Sequence, residues 1–558
     1  MNKATLCLCS MLLTYSTATA QIDPPKPFKV SAVDQYTFSE DLASQERELK
    51  NNPMLKFFEQ ERKKLSKDKF RPIYHYTNPE LRLNDPNGLC YWQGKWHLFY
   101  QAYPKKDSRQ HWGHAVSDDL TYWRDLPLAI YPGPEWACFS GSTMVEEDRV
   151  IAMYQGKKFG SMVAVSNDPL LLNWDKIKGN KAVMPLEFTD EEHRYADGER
   201  IKYRLADFNI WKKGEYYYAI SGGTLPDKYS KRRLPAEFLF KSRDLINWEY
   251  MHPFMEHNIF SRLGDDGACP YFLPIANGKK HILIHYSHVS GAQYFLGDYD
   301  TNRDKFIATD HGNFNHGISG AGGVHAPSSF SDGNGGIITI FNTRCPAPIN
   351  FMLKKYGWND LMTLPVRLTL REDESSLNIE PAVDLNKLRD KCVKLDSFIV
   401  TPNNERVLEN INGNAIEIVA KVDLKEANAF EIKVLASDNN QEYTTITLYK
   451  DRGYHTDHAA LGKATSTAVL NTTYSSLLPE INTRAPEQAD YFNSKDGLVD
   501  LQIFIDKSIV EVFINGNQYL CSRVYPTLDS SVNVTVKSIG SESEVKYLKK
   551  YDINSIWE

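Results

Sequence analysis

Between Arg71 and about Glu374, apolar and aromatic residues come in short runs, each broken by Gly, Pro, Asn or Asp. Runs this short, bounded by turn formers, predict strands rather than helices. One unit recurs: a strand, then Ser-x-Asp-Leu or a near variant, then Trp. It reads Ser117-Asp118-Asp119-Leu120 with Trp123, then Ser166-Asn167-Asp168-Pro169-Leu170 with Trp174, then Ser242-Arg243-Asp244-Leu245 with Trp248. Spacings of about 50 and 75 residues suit successive four-stranded blades with insertions, which predicts a β-propeller. A sandwich also has short strands, but it does not repeat a Ser-Asp-Trp turn.

From about Leu395 that signature stops and longer alternating runs begin. Ala415–Val422 is one, and Leu501–Asp506 followed by Ile509–Gly516 reads as a hairpin with period-two faces. Residues 395–558 are thus expected to form a separate β-sandwich, joined to the propeller (71–374) by a charged linker, 375–394. Upstream, Leu42 to Lys67 is rich in Glu and Lys and looks helical with a poor apolar face, so 21–70 is expected as a surface arm. Residues 1–20 have the form of a signal peptide: Lys3, an apolar stretch from Leu6 to Leu13, and Ala18-Thr19-Ala20 before Gln21. The apolar stretch is too short to span a bilayer and no later run is long enough, so a secreted or periplasmic protein is expected.

Composition narrows the function. The chain of 558 residues is long enough for more than one core, and a net charge of −6 without a long basic block argues against nucleic acid as a partner. Beyond the leader six cysteines remain, scattered and without a CxxC pair. They read as small buried residues, with room for one or two bridges. His, Cys, Asp and Glu show no compact ligand spacing, so neither metal nor cofactor is expected.

The most informative string is Leu83-Asn84-Asp85-Pro86-Asn87-Gly88, which runs into Leu89-Cys90-Tyr91-Trp92. Asn-Gly and Pro86 predict a tight turn that holds the Asp85 carboxylate by backbone. A fixed acid among aromatics suits sugar chemistry, because an oxocarbenium-like transition state needs a close carboxylate. Alone the string is also ordinary hairpin chemistry.

In company it is specific. Arg71-Pro72 with His75, Trp112-Gly113-His114-Ala115, Phe139-Ser140-Gly141-Ser142, Gly357-Trp358 with Met362-Thr363-Leu364-Pro365, Asp506–Phe513 and Arg523-Val524-Tyr525-Pro526 follow in order. Together with the Asn84–Gly88 string they resemble glycoside hydrolase family 32, the invertase and fructanase family, over most of the chain. The resemblance implies an all-β fold, a five-bladed β-propeller followed by a C-terminal β-sandwich, with three carboxylates in an axial funnel. Asp85 matches the nucleophile. Asp207 matches the carboxylate that holds sugar hydroxyls, although Ala206 and Phe208 stand where Arg and Pro are usual. The acid/base glutamate before Cys-Pro is replaced by Ala268, so Asp266 is expected in that role, with Asp265 second. Asn84, Gln101, Trp112, Phe139 and Ser140 match substrate-binding positions, and Arg82 replaces a Trp of the subsite wall. His288 and His325 could approach the funnel, but as lone histidines they are read as structural.

The resemblance implies a retaining hydrolase that releases β-D-fructofuranosyl residues from sucrose or fructans through a covalent fructosyl-Asp85 intermediate. Ala268 leaves open a carbohydrate-binding protein with impaired catalysis, and the altered wall leaves open another furanoside. Transfer to a sugar acceptor shares the same intermediate. The sandwich is expected to be structural or to form a homodimer.

Overall fold

The computed structural model describes residues 27–557 apart from 190–193, 196–197, 228, 230–231, 257–258, 321, 456–463 and 492–495, so the expected leader lies outside the described residues. Five antiparallel sheets follow one another along the chain. Their first strands are Arg82–Trp92, Cys138–Val145, Ala206–Lys213, Ala268–Ile275 and Val324–Ser331. Each of these packs against the first strand of the next sheet, and the fifth against the first, so the five sheets are the blades of a propeller around one axis. The third blade carries an extra hairpin, Thr224–Pro226 with Arg233–Pro235, and the fourth gains a short parallel strand, Met255–Glu256.

The repeated Ser-Asp-Trp unit is the turn between third and fourth strands of the first three blades. In each turn a leucine takes a left-handed conformation: Leu120 at φ 64°, Leu171 at 50° and Leu245 at 65°. The tryptophan indole then donates to that leucine's carbonyl, Trp123 at 3.2 Å, Trp174 at 2.8 Å and Trp248 at 2.9 Å. A buried indole N–H needs an acceptor, and the strained leucine is held by supplying one.

A second recurrence fixes the site. Every innermost strand breaks register near its start: between Leu83 and Pro86, Cys138 and Gly141, Ala206 and Phe208, Ala268 and Tyr271, and Val324 and Pro327. A bulge releases residues from the ladder and re-aims their side chains. The released positions include Asp85, Ser140, Asp207, Cys269 and His325, one from each blade.

Three expectations change. Asn84–Gly88 is no hairpin turn but the middle of one strand, bulged a second time between Asn87 and Cys90. Pro86 is tolerated because this strand is the edge of its sheet and the proline follows a register break, and Gly88, at φ +49°, is obligatory because a Cβ would lie 2.5 Å from Thr143 Cγ2 of the next blade. The segment 375–394 is largely regular: Leu377–Pro381 is the outermost strand of the fifth blade, a short helix spans Leu385–Leu388, and Arg389–Leu395 begins the sandwich. The alternating buried positions of Leu377 and Ile379 make that strand, which the surrounding charge conceals. The six described cysteines are all free thiols.

The arm forms two helices, Leu42–Leu49 and Pro53–Leu65, split where Asn52 caps the second with its side chain and Pro53 takes the first helical position. The sandwich comprises two antiparallel sheets over an aliphatic core, including Ile418, Ile432, Ile446 and Ile503. Among the described residues no helix is long and apolar enough to cross a membrane.

Candidate active site

The bulged positions converge on a cavity of about 500 Å³ at the propeller axis, lined among others by Asn84, Asp85, Gln101, Phe139, Ser140, Asp207, Asp266, Ala268, Cys269, His288 and His325. A larger groove, about 980 Å³, runs between the second helix and Ile556–Trp557. Of its carboxylates, Asp125 is held by Arg62 and Tyr76 and Asp118 by Lys95.

Asp85 is 8 % exposed. Its Oδ2 accepts from Ser140 Oγ at 2.7 Å and Gln101 Nε2 at 3.2 Å, while Oδ1 has no hydrogen bond among the described residues and lies 3.1 Å from His325 Nδ1. One oxygen is thus clamped and the other is left with its lone pairs. Gln101 is fixed by Asn84 at 2.9 Å, Asn84 Oδ1 accepts from Asn342 at 3.4 Å, and Asn342 Oδ1 lies 3.1 Å from His325 Nδ1, which completes a polar belt around Asp85. Burial alone would raise the Asp85 pKa. His325, the Arg344 charge and the Ser140 hydroxyl outweigh it and hold the carboxylate well below its usual range.

Asp207 is pushed the other way. It sits at φ +44° in its bulge and accepts from the Cys269 N–H at 3.0 Å and the Cys269 thiol at 3.4 Å. Burial and the neighbouring Asp85 charge raise its pKa to about 6. Two carboxylates in one cavity with pKa values driven apart are the mark of a site with divided roles.

Asp266 reaches the cavity mouth. Gly267 beside it is at φ +55°, and a Cβ there would meet Glu237 Oε1 at 2.6 Å. The Asp266 carboxylate is already engaged, accepting from the His288 backbone N–H at 3.1 Å and lying 2.7 Å from His288 Nδ1. Although burial opposes it, His288 holds Asp266 below the usual carboxylate range. Asp265 points elsewhere: it is wholly buried and takes hydrogen bonds from Ser287, Ser290 and the Arg262 backbone.

Of the expected binding residues, Asn84, Gln101, Phe139 and Ser140 line the cavity and Trp112 does not. Trp112 is fully buried, packs on Phe99 and Tyr154, and donates to the Phe139 carbonyl at 3.0 Å, so it supports Phe139 from behind. Lys157, Arg204 and Arg344 were not anticipated, and His325, expected near the funnel only as a structural histidine, lies against Asp85. A proline inside an inner strand was the available signal for His325, since Ala326-Pro327 and Cys269-Pro270 mark bulges as Asp85-Pro86 does. Among the described residues no group of three or more His, Cys, Asp or Glu gathers to hold a metal.

Comparison with known proteins agrees with this architecture. Residues 75–381 match the model of the glycosyl hydrolases family 32 N-terminal domain, and 384–554 that of the family 32 C-terminal domain. A levanase of Bacillus subtilis is 26% identical over 530 residues, which cover 88% of this chain and 71% of the relative. A sucrose-6-phosphate hydrolase of Vibrio alginolyticus is 24% identical over 85% of this chain and 89% of the relative. The crystal structure of fructan 1-exohydrolase IIa from Cichorium intybus superposes with a TM-score of 0.72 at 20% identity, covering 88% of this chain and 98% of that one, a likeness of fold. Both family models match in order over nearly the whole described chain, on a propeller and sandwich whose inner strands gather carboxylates at the axis: the chain belongs to glycosyl hydrolase family 32 and is a glycosidase.

Proposed function

We propose that the protein is a retaining β-fructofuranosidase that releases terminal fructosyl residues from sucrose or a fructan. The observation that carries this is the asymmetry of Asp85, with one oxygen clamped by Ser140 and Gln101 and the other without a hydrogen bond among the described residues. The unclamped oxygen attacks the anomeric carbon to give a fructosyl-Asp85 ester, and water then hydrolyses it. Asp207, ionised, holds ring hydroxyls as positive charge develops. The proton is handled at the mouth by Asp266 and the His288 it holds, since Ala268 has none to give. The relatives named levanase and sucrose-6-phosphate hydrolase support the sugar class. Export by the residues 1–20 leader belongs to the same proposal, as does pairing of copies through the sandwich.

The test is fructose release from sucrose, inulin and levan. Wild type is expected to act on at least one of them, and Asp85→Ala to lose about 10⁴-fold or more in kcat. No release from any of the three would refute the assignment.

An anionic fructoside is also favoured by one observation. The side chains of Lys157, Arg204 and Arg344 line the cavity without a hydrogen bond or ion pair to another described residue. Adding sucrose 6-phosphate to the panel decides this: a higher kcat/KM than for sucrose, lost in Arg204→Ala, is the expected sign.

A further inference from the structure

A sugar leaving as an alkoxide needs a proton, and the strand position that would supply it carries Ala268. Ala268 pairs with Tyr286 on the neighbouring strand, and His288 lies two residues beyond, so that Tyr286 and His288 both line the cavity beside the vacant position. The His288 side chain is 60% exposed at the mouth, whereas Asp85 and Asp207 lie buried. Asp266 holds it at two points, 2.7 Å from the ring Nδ1 and 3.1 Å from the backbone N–H. Nε2 makes no hydrogen bond to any described residue. The ring stands 5.4 Å from that of Tyr286 and 6.2 Å from that of His325, which touches the nucleophile.

The neighbouring carboxylates are committed elsewhere, Asp266 itself to His288. Asp265 is consumed by Ser287 and Ser290. Glu237 is wholly buried 3.4 Å from His285 and does not line the cavity. Asp207 is bonded to Cys269 on the adjoining blade.

We propose that His288 is the general acid and base of the reaction and that Asp266 is its positioning residue. This assignment rests on the fructosidase function proposed above and extends it to the group that moves the proton. The Asp266 hydrogen bond keeps the imidazolium above the usual histidine range, against burial and the Arg344 charge, and the Asp207 charge adds to it. In the first step Asp85 bonds to the anomeric carbon, the bond to the leaving oxygen breaks with its electron pair, and that oxygen takes the proton from His288 Nε2. In the second, neutral Nε2 takes a proton from water, whose oxygen bonds to the same carbon as the Asp85 ester bond breaks.

The test compares wild type, Asp85→Ala, His288→Gln and Asp266→Asn, all checked for wild-type melting. The substrates are sucrose, levan and 4-nitrophenyl β-D-fructofuranoside, whose phenolate leaves without a proton. His288→Gln is expected to lower kcat/KM on sucrose or levan by about 10²–10⁴-fold and to abolish the alkaline limb of the pH profile. With the nitrophenyl fructoside it gives a burst of nitrophenol and then stalls, until azide, which needs no base, restores turnover as fructosyl azide. Asp266→Asn keeps the alkaline limb but moves it to lower pH. Activity of His288→Gln within about threefold of wild type with the limb in place, or a stalled variant that azide does not rescue, overturns the assignment and leaves the Asp85-dependent activity standing. A wild type that releases no fructose from any of these substrates overturns the function and the assignment together.

Discussion

Asp207 carries the electrostatic cost of the site. Its carboxyl is desolvated beside an ionised neighbour, and its pKa rises from the ordinary 3.8 to about 6. The folded state therefore binds this proton more tightly than the unfolded chain, so stability is lost as pH rises from about 4 through 6. At neutral pH the ionised group costs about 3 kcal/mol, because a tenfold change in proton affinity is worth about 1.4 kcal/mol. Asp207→Asn is expected to raise the melting temperature at pH 7, to leave it nearly unchanged at pH 4, and to abolish turnover; melting curves at the two pH values check it. A site built for a charged transition state is a place where stability and activity trade against each other. At this scale the sequence makes Asp85 and Asp207 legible, because each sits in a string with its own local constraints. It hides Arg344, and it hides the contact of His325 with Asp85, a link that spans more than two hundred residues and exists only once the ring is closed. It shows that Ala268 lacks an acid, yet His288 becomes its neighbour only through the pairing of Ala268 with Tyr286.

At the scale of elements the working unit is the bulged inner strand. Five register breaks at equivalent places turn five strands into five mounts, each aiming a side chain at the axis. The mount under Asp85 depends on Gly88, whose carbonyl accepts from Thr143 Oγ1 at 2.9 Å and where an added Cβ would lie 2.5 Å from Cγ2 of the same residue. Gly88→Ala combines a left-handed backbone with a clash against the second blade, and should destabilise by about 2–4 kcal/mol. Because Asp85 is three residues away, kcat/KM falls as well; denaturant unfolding alongside the fructose assay reads both. The blades were legible through their Ser-Asp-Trp turns, which repeat because each tryptophan needs the same carbonyl. The bulges were not, since Asp-Pro-Asn-Gly satisfies a hairpin turn as readily as a twice-broken strand. Only the packing of Gly88 on Thr143 decides between them.

At the scale of the molecule the question is what shuts the ring. Each blade is built from its own stretch of chain, and among the described residues no strand from the end of the propeller returns to complete the first blade. Besides the packing of their inner strands, the seam between first and fifth blades is held by the segment ahead of the first blade and by the sandwich. The Tyr76 carbonyl accepts from the Met362 N–H at 2.9 Å, and Leu81 bridges Trp358. Asp506 of the sandwich accepts from the backbone of Ile73, Tyr74 and His75 at 2.8, 2.8 and 3.0 Å. The His75 ring lies between Asp506 and Glu511, at 2.9 and 2.7 Å, and Glu511 also accepts from the Leu364 N–H of the fifth blade at 3.3 Å. Burial would lower the His75 pKa, but the two carboxylates win and bring it up to about 9. Raised above its unfolded value, this group stabilises fully below about pH 6.5, and its contribution is lost as pH climbs through about 9. Melting temperature is expected to fall between about pH 6.5 and 9, and His75→Gln to cost about 3–5 kcal/mol at pH 7 while flattening that fall.

The two sides of the seam meet again at the axis, where Asp85 comes from the first blade and His325 from the fifth, 3.1 Å apart. The contact between Asp85 and His325 is therefore also the latch of a bracelet whose clasp lies on the rim, in another domain. Loosening the clasp is expected to disturb the latch before the sheets themselves unfold, so that in mild denaturant activity fades ahead of the loss of structure: such an enzyme goes silent by coming ajar.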